Sequence, residues 1–281
     1  TVSAISYGQS LGEASLAGGV ATVPGTFAWS QAADRPNEIG LISRELVFRP
    51  TDTGAYDLVY GSVQLEVLPK ELSPSVSAQD KIYDGVTVAE ADCNVTGLTG
   101  DELVCEVASA NFDNPNVGNN KLVTVNGLHL TGAAADKYKL VDSAVTTEAS
   151  INKRPISIIA DSKSKIVGDS DPELTYVLSA GSLAHGDLWS GVLVRASGED
   201  PGVYPIGLGD LRVNDNYTLQ FTAANLVISE QAVVEVRADS QSIVYGQLPS
   251  DFTFSYLGLV SGDDASVIDL PPVCAISGDH S

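Results

Sequence analysis

The chain reads as mostly β: a tandem, elongated array of small β-rich modules. Three observations predict this. First, an aromatic or Val step into a Gly/Asp turn occurs four times, as SAISYGQS at Tyr7, DKIYDGVT at Tyr83, SKIVGDSD at Val167 and QSIVYGQL at Tyr245. These anchors lie 76, 84 and 78 residues apart (83−7, 167−83, 245−167), and a fixed period of this size marks tandem modules. Second, other signals return in register. A Gly-Asp step at Asp101, Asp187 and Asp263 follows its anchor by 18, 20 and 18 residues (101−83, 187−167, 263−245), and an Asp-x-Tyr-x-Leu step closes two modules at Tyr138 and Tyr217. Third, apolar residues alternate with polar ones, as in Ser62-Val63-Gln64-Leu65-Glu66-Val67 and Val233-Val234-Glu235-Val236, which is the period of a half-buried strand.

Taken in order, residues 1–70 carry ISYGQSL, VPGTFAWSQ and LVFRPTDTGAYDLVYGSVQLEVL. These alternating runs with turn signals suit a small sandwich of the immunoglobulin type, with Trp29 and Phe48 in its core. Residues 71–154 and 155–230 form the second and third modules, each either a sandwich or a β-grasp-like sheet, and residues 231–281 a fourth. The boundaries fall near Lys70, Arg154 and Glu230, where VQLEVLPKELSPSVSAQ, ASINKRPISIIADS and LVISEQAVVEVRADS pass from strand to strand through a few polar residues. Short links of this kind predict a semi-rigid rod. Only Gly97 to Leu103, Ser182 to Gly191 and Gly258 to Val267 offer short helical turns, each around a Gly-Asp step. Tyr138 and Tyr217 should be equivalent, partly buried and near the start of each module's last strand. The fourth Gly-Asp step is followed by 18 residues (281−263), against 37 and 30 to reach the closing tyrosines of the second and third modules (138−101, 217−187). The fourth module is therefore expected to be incomplete, with Phe252, Phe254 and Tyr256 exposed.

Composition narrows the function. With 36 acidic against 15 basic residues the formal charge is −21, which repels nucleic acid and anionic bilayers. Mean hydropathy of +0.09 suits folded protein. No stretch approaches the roughly 18 apolar residues of a membrane span. The opening TVSAISYG has neither the basic nor the apolar region of a signal peptide, and Met is absent, so an internal segment of a larger polypeptide is expected.

Candidate chemistry is sparse. His129, His185 and His280 lie in separate modules and in no nucleophile or metal motif, and His185 in AHGD reads as a solvent-facing turn residue. No catalytic residue and no cofactor is assigned, and the chain is read as a non-enzyme. Calcium is the one metal to consider: Asp169, Asp171 and Glu173 in GDSDPE, Asp263 and Asp264 in SGDDAS, and Asp210, Asn214 and Asp215 near a turn offer hard oxygen ligands. The same residues serve turn geometry equally well. Cys93 and Cys105 flank a hairpin-like CNVTGLTGDELVC and either pair or remain buried thiols, whereas Cys274 is left over. Lys81, Lys121 and Lys165 could in principle form Lys-to-Asn/Asp amides, although strand lysines usually face solvent.

Residues 78 to about 152, through AQDKIYDGVTVAEA, GLTGDELV, ANFDNPNVGNNKLVTVNGLHLTGAAADKYKL and TTEASI, resemble the YDG repeat of bacterial surface adhesins. Residues 157 to 229, through KIVGDSDPELTY, SLAHGD, GVYPI and NDNYTL, resemble the MBG repeat of the YGX type, with Val167 in place of the usual Tyr. Residues 233 onward, with IVYGQLPSDFTFSY and LVSGDD, begin like a second, truncated MBG repeat, and the first module resembles the Ig-like repeats that accompany them. The resemblance implies a structural stalk segment of a large secreted adhesin or filamentous protein on a bacterial cell surface. Its partners would be neighbouring modules of the same polypeptide, and host or matrix glycans or proteins. Direct binding of host glycans or mucin is the alternative. It would need Tyr or Trp presented on an open groove.

Overall fold

The computed structural model of the chain describes residues 1–247, 252–260, 262–270 and 272–273. Among these, strands account for the regular structure apart from three 3-10 turns, at Leu11–Glu13, Ala135–Lys137 and Ala265–Val267. Contacts in space separate two units, each discontinuous in sequence: Thr1–Pro155 with Ser182–Leu188 and Asn214–Thr218, and the remainder, Ile156–Gly181, Trp189–Val213 and Leu219–Ser281.

In the first unit, residues 1–70 make one four-stranded sheet in the order Ile5–Ser6, Val59–Leu68, Gly40–Pro50, Gly25–Trp29. The first pair is parallel and the others antiparallel, so this is a single mixed sheet rather than two facing antiparallel sheets. Ile5, Leu11, Trp29, Ile42, Leu65 and Val67 form its core. Trp29 and Phe48 are both buried, and the Trp29 Nε1–H finds the Ala14 carbonyl at 3.3 Å, so the indole enters the core with its one polar atom satisfied. The second module repeats the plan as Ser109–Phe112, Gly118–Asn126, Ala144–Asn152, Lys81–Ile82, again with a parallel final pair. Val123, Val125 and Ile151 are fully enclosed on its inner face, as strand alternation requires. Three short pairs complete it: Ser75–Ala78 with Ala91–Asn94, Val104–Glu106 with His129–Thr131, and Lys70–Leu72 with Tyr138–Leu140.

In the second unit, Lys163–Ile166, Ala224–Ser229, Gly202–Gly207 and Val194–Arg195 form a four-stranded sheet, and Arg154–Ala160 lies between Tyr176–Ala180 and Tyr217–Thr222 in a three-stranded one. Their apolar residues meet in one core of Ile158, Ala160, Leu193, Ile206, Leu211, Leu226 and Ile228. Farther on, Glu235–Ala238 pairs antiparallel with Phe254–Leu257. Phe252 is exposed as expected, but Phe254 and Tyr256 are half-buried because their rings pack edge to face at 5.9 Å.

One device recurs in three modules. The amides of the anchors Tyr7, Tyr83 and Val167 donate to the carbonyls of Leu68, Asn152 and Ser229 at 2.8, 2.9 and 2.9 Å. Each anchor strand thus lies parallel to its module's closing strand, joined by a crossover through the whole module. The expected helical turns at the first two Gly-Asp steps do not form: the chain there makes reverse turns, Asp101 N–H to Leu98 O and Asp187 N–H to Ala184 O. Gly100 at φ +94° and Gly186 at φ +89° place a left-handed residue where a helix would need a right-handed one. At the third step the Asp263 N–H likewise donates to the Val260 carbonyl at 3.0 Å, and Ala265–Val267 follows as a 3-10 helix.

Candidate functional site

The recurrent residues converge within the first unit at two places built alike. At the first, Tyr7 and Tyr138 pack edge to face, with centroids 5.5 Å apart and an interplanar angle of 83°. Both rings are buried. The Tyr138 hydroxyl donates to Asp101 Oδ2 at 2.6 Å and accepts from the Leu98 amide at 2.8 Å. Tyr7 reaches the other oxygen, Asp101 Oδ1, at 3.2 Å, and Lys137 Nζ stands 5.1 Å above the Tyr7 ring. The Gly-Asp turn therefore presents a carboxylate that two tyrosines share, while its own backbone N–H orients one of them.

The second place repeats this with new residues. Tyr83 and Tyr217 meet at 5.6 Å and 77°, the Tyr217 hydroxyl donates to Asp187 Oδ2 at 2.6 Å and accepts from the Ala184 amide at 2.6 Å, and Tyr83 is 3.5 Å from Asp187 Oδ1. Asn214 Nδ2 adds a donor to that oxygen at 2.7 Å. Each place thus joins an anchor tyrosine to the Gly-Asp carboxylate and closing tyrosine of the following module. The anchor glycines matter here as well. A Cβ on Gly8 would sit 2.6 Å from Leu98 Cδ1, and one on Gly85 3.4 Å from the His185 carbonyl, at φ +89° and +85° that side chains rarely adopt.

Burial, followed by the bond to the carboxylate, pushes Tyr138 and Tyr217 up to about 12, and burial with the Asp187 charge raises Tyr83. A phenol held neutral beside an acceptor-only group is a durable donor, suited to a structural joint. The closing tyrosines are equivalent, as the repeat implied, but each begins the penultimate strand. The last strands are Ala144–Asn152 and Ala224–Ser229. Two contributors carried no repeat signal. Arg154 donates to the Ser182 carbonyl at 2.7 Å and to the Tyr83 carbonyl at 3.3 Å. Asn216, buried, accepts from the Val117 amide at 2.9 Å and donates to Asn116 at 3.2 Å.

The remaining candidates lie apart. Cys93 and Cys105 are joined as a disulfide between Ala91–Asn94 and Val104–Glu106, with Cα atoms 5.4 Å apart. Cys274 and His280 fall outside the described residues, and His185 is exposed. Of the calcium candidates, Asp171 bonds Lys165 at 2.8 Å and Arg195 at 2.6 Å, Asp264 accepts from the Ser266 amide at 2.9 Å, and Asp210 from the Val192 amide at 2.8 Å. Asp169, Glu173, Asp215 and Asp263 are exposed. Among the described residues no group of three or more His, Cys, Asp or Glu could hold a metal ion. The three lysines are all ion-paired: Lys81 to Asp84, Lys121 to Asp113 and Lys165 to Asp171 and Glu199. Arg195, then Lys165, hold Asp171 down at about 2, and Asp171 with Glu199 raises Lys165. Amide formation needs a neutral amine, so this electrostatics opposes it. No helix among the described residues is long and apolar enough to cross a membrane.

The fold and its joints define a class: a β-rich repeat protein whose modules are coupled through tyrosine and aspartate. Residues 68–147 match the family model of the YDG domain, and residues 156–227 match that of the MBG domain (YGX type). Both matches are consistent with a surface-associated repeat protein. Among curated proteins, none matches the chain.

Proposed function

We propose that the chain is a structural repeat segment of a secreted bacterial adhesin or filamentous surface protein, working outside the cell as a stalk and without enzymatic chemistry. The observation that carries this reading is the repeated joint. Two sets of tyrosine, tyrosine and aspartate at equivalent places are used for contact between consecutive modules, so the recurrent polar residues are consumed by architecture. Acidity supports it, since like charge along a surface fibre keeps neighbours soluble and apart. Its partners are then other modules of the same polypeptide. Direct glycan binding is the second reading: Trp29 is buried and Trp189 packs edge to face on Tyr176 at 5.6 Å, so neither indole is free to stack on a sugar, and it would fall to exposed tyrosines such as Tyr56, beside a groove, to do so.

Pulling the chain from its two termini tests the proposal. A stalk should unfold in discrete force steps, with the second module's extension shortened by the Cys93–Cys105 crosslink and restored on reduction. A featureless trace, together with saturable binding on a glycan array, would overturn it.

A further inference from the structure

The two joints are built alike but braced differently. At the second, side chains from outside the Gly-Asp turn hold it: Arg154 donates to the Ser182 carbonyl at 2.7 Å and to Ser182 Oγ at 2.6 Å, and Asn214 Nδ2 donates to Asp187 Oδ1 at 2.7 Å. The repeat puts other residues at those places in the first joint. Thirteen residues before the anchor, where Arg154 stands (167−154), the second module has Lys70 (83−70), and three before the closing tyrosine, where Asn214 stands (217−214), it has Ala135 (138−135). Among the described residues the Lys70 ammonium has no hydrogen-bond or ion-pair partner, and Ala135 has no polar side chain to offer.

The Asp101 turn has a covalent brace instead. Cys93 and Cys105, 12 residues apart along the chain, are joined as a disulfide, and the loop it closes contains Leu98 and Asp101. No ladder joins the two ends of that loop: Ala91–Asn94 pairs with Ser75–Ala78, whereas Val104–Glu106 pairs with His129–Thr131 in a separate sheet. The loop nevertheless supplies what the joint needs. The Leu98 amide and Asp101 Oδ2 meet the Tyr138 hydroxyl at 2.8 and 2.6 Å, Asp101 Oδ1 meets that of Tyr7 at 3.2 Å, and Val95, Leu98 and Leu103 pack around both rings. An uncrosslinked loop of this length samples many shapes, few of which bring an amide and a carboxylate to one phenol. Both cysteines are half-buried rather than enclosed, so the bridge is open to a small thiol.

We infer that the Cys93–Cys105 disulfide is a redox control on the first joint. Closed, it presents Asp101 to Tyr7 and Tyr138; opened, it loosens the first module from the second while the joint at Asp187 keeps its grip. The reagent that opens it is a dithiol. One thiolate of the reagent attacks a bridging sulfur, its second thiol resolves the mixed disulfide, and two electrons and two protons pass to Cys93 and Cys105 as the reagent itself becomes the disulfide. The coupling is reciprocal: if the closed disulfide favours the joint, the formed joint favours the disulfide by the same factor. This control goes beyond the stalk role and does not depend on it.

Hydrogen exchange and a thiol–disulfide equilibrium, both on the full chain, test it. The amides of Leu98 and Ala184 are matched probes, because each donates to the closing phenol of its own joint. Reduction with dithiothreitol should lower the protection of Leu98 relative to Ala184 by about 5- to 150-fold, the usual span of coupling between sites, and reoxidation should restore it. Equilibration against mixtures of reduced and oxidised dithiothreitol reads the reverse direction. There Asp101→Ala should be reduced more readily than the wild-type chain by the same factor, Tyr7→Phe by a smaller one, and Asp187→Ala no more readily than wild type. Tyr7 belongs to the first module, so a disulfide that merely supported the second module's fold would not respond to loss of its hydroxyl, and this variant carries the reverse test should Asp101→Ala not fold. Protection at Leu98 that is indifferent to reduction, or that falls no further than at Ala184, overturns the inference. So does an equilibrium that Tyr7→Phe leaves unchanged. Glycan binding that displaced the stalk reading would alter none of these outcomes, so the two fail separately.

Discussion

At the scale of single residues, the two aspartates of the Gly-Asp turns decide most. Each receives a 2.6 Å bond from a buried phenol that also accepts a backbone amide. Tyr138→Phe and Tyr217→Phe strip this bond and leave the amide without its acceptor, which should cost about 1.5–3 kcal/mol in urea unfolding, as for hydrogen bonds to charged groups. Tyr7→Phe, whose bond to Asp101 is 3.2 Å, should cost about 0.5–1.5 kcal/mol, the range for an ordinary hydrogen bond. Equal losses in all three would remove the distinction between closing and anchor tyrosines. The raised phenols also fix the sign of an alkaline effect. Unfolded tyrosine ionises near 10.0, whereas the folded Tyr138 and Tyr217 hold their protons up to about 12. Their stabilisation is complete below pH 10 and is lost as pH rises toward 12. Ultraviolet titration of phenolate should accordingly show late-ionising tyrosines among the ten, released together with unfolding.

At the scale of elements, two devices hold strands that little else secures. The disulfide ties Ala91–Asn94 to Val104–Glu106 across a loop of about a dozen residues, and its removal by Cys93→Ser with Cys105→Ser should destabilise the chain by about 3 kcal/mol in the chain-entropy account. Denaturant unfolding of the double variant checks this. In the second unit, Lys165 on the Lys163–Ile166 strand and Arg195 on Val194–Arg195 share Asp171 and Glu199. Arg195 before Lys165 holds the Asp171 carboxyl down at about 2, and Lys165 before Arg195 lowers Glu199. Depressed carboxylates stabilise above their ordinary values and lose that contribution as pH falls. The protection factors of amides in these two strands should therefore fall as pH is lowered from the ordinary carboxylate range toward 2, relative to those of the central Ala224–Ser229 strand. Arg195→Ala should flatten the dependence. An unchanged profile in that variant would assign the acid response elsewhere.

At the scale of the whole molecule, coupling between consecutive modules is the property on which the proposed stalk role depends. Asp101→Ala unhooks both Tyr7 and Tyr138 from one turn. Hydrogen exchange in this variant should rise at Ile5–Ser6 and Tyr138–Leu140 together while Gly118–Asn126 keeps its protection, because only the joint is opened. Exchange that rises uniformly would mean that Asp101 supports the second module's core rather than its connection to the first.

Much of this was legible in the chain. Period-two alternation dictated strands, since one side of each must meet a core: Leu65 and Val67, Ala149 and Ile151, Leu226 and Ile228 are buried in three closing strands spelled to that pattern. The repeat spacing likewise marked Tyr7, Tyr83, Asp101, Asp187, Tyr138 and Tyr217 as a recurrent set. Their meaning was not legible, because Tyr83 and Asp187 are 104 residues apart and nothing local announces that they touch. The Gly-Asp steps suggested short helices, yet the carboxylate is better used accepting two phenols from a reverse turn. The Lys165 pairings and the disulfide likewise depended on which strands became neighbours, which spacing alone leaves open. By itself, then, the sequence determined that this protein is a series of like β modules with shared punctuation, because local periodicity sets strand and turn. Only the tertiary structure decided that the punctuation is the joint, because pairing of distant residues is fixed by the parallel crossover that returns each closing strand to its own anchor.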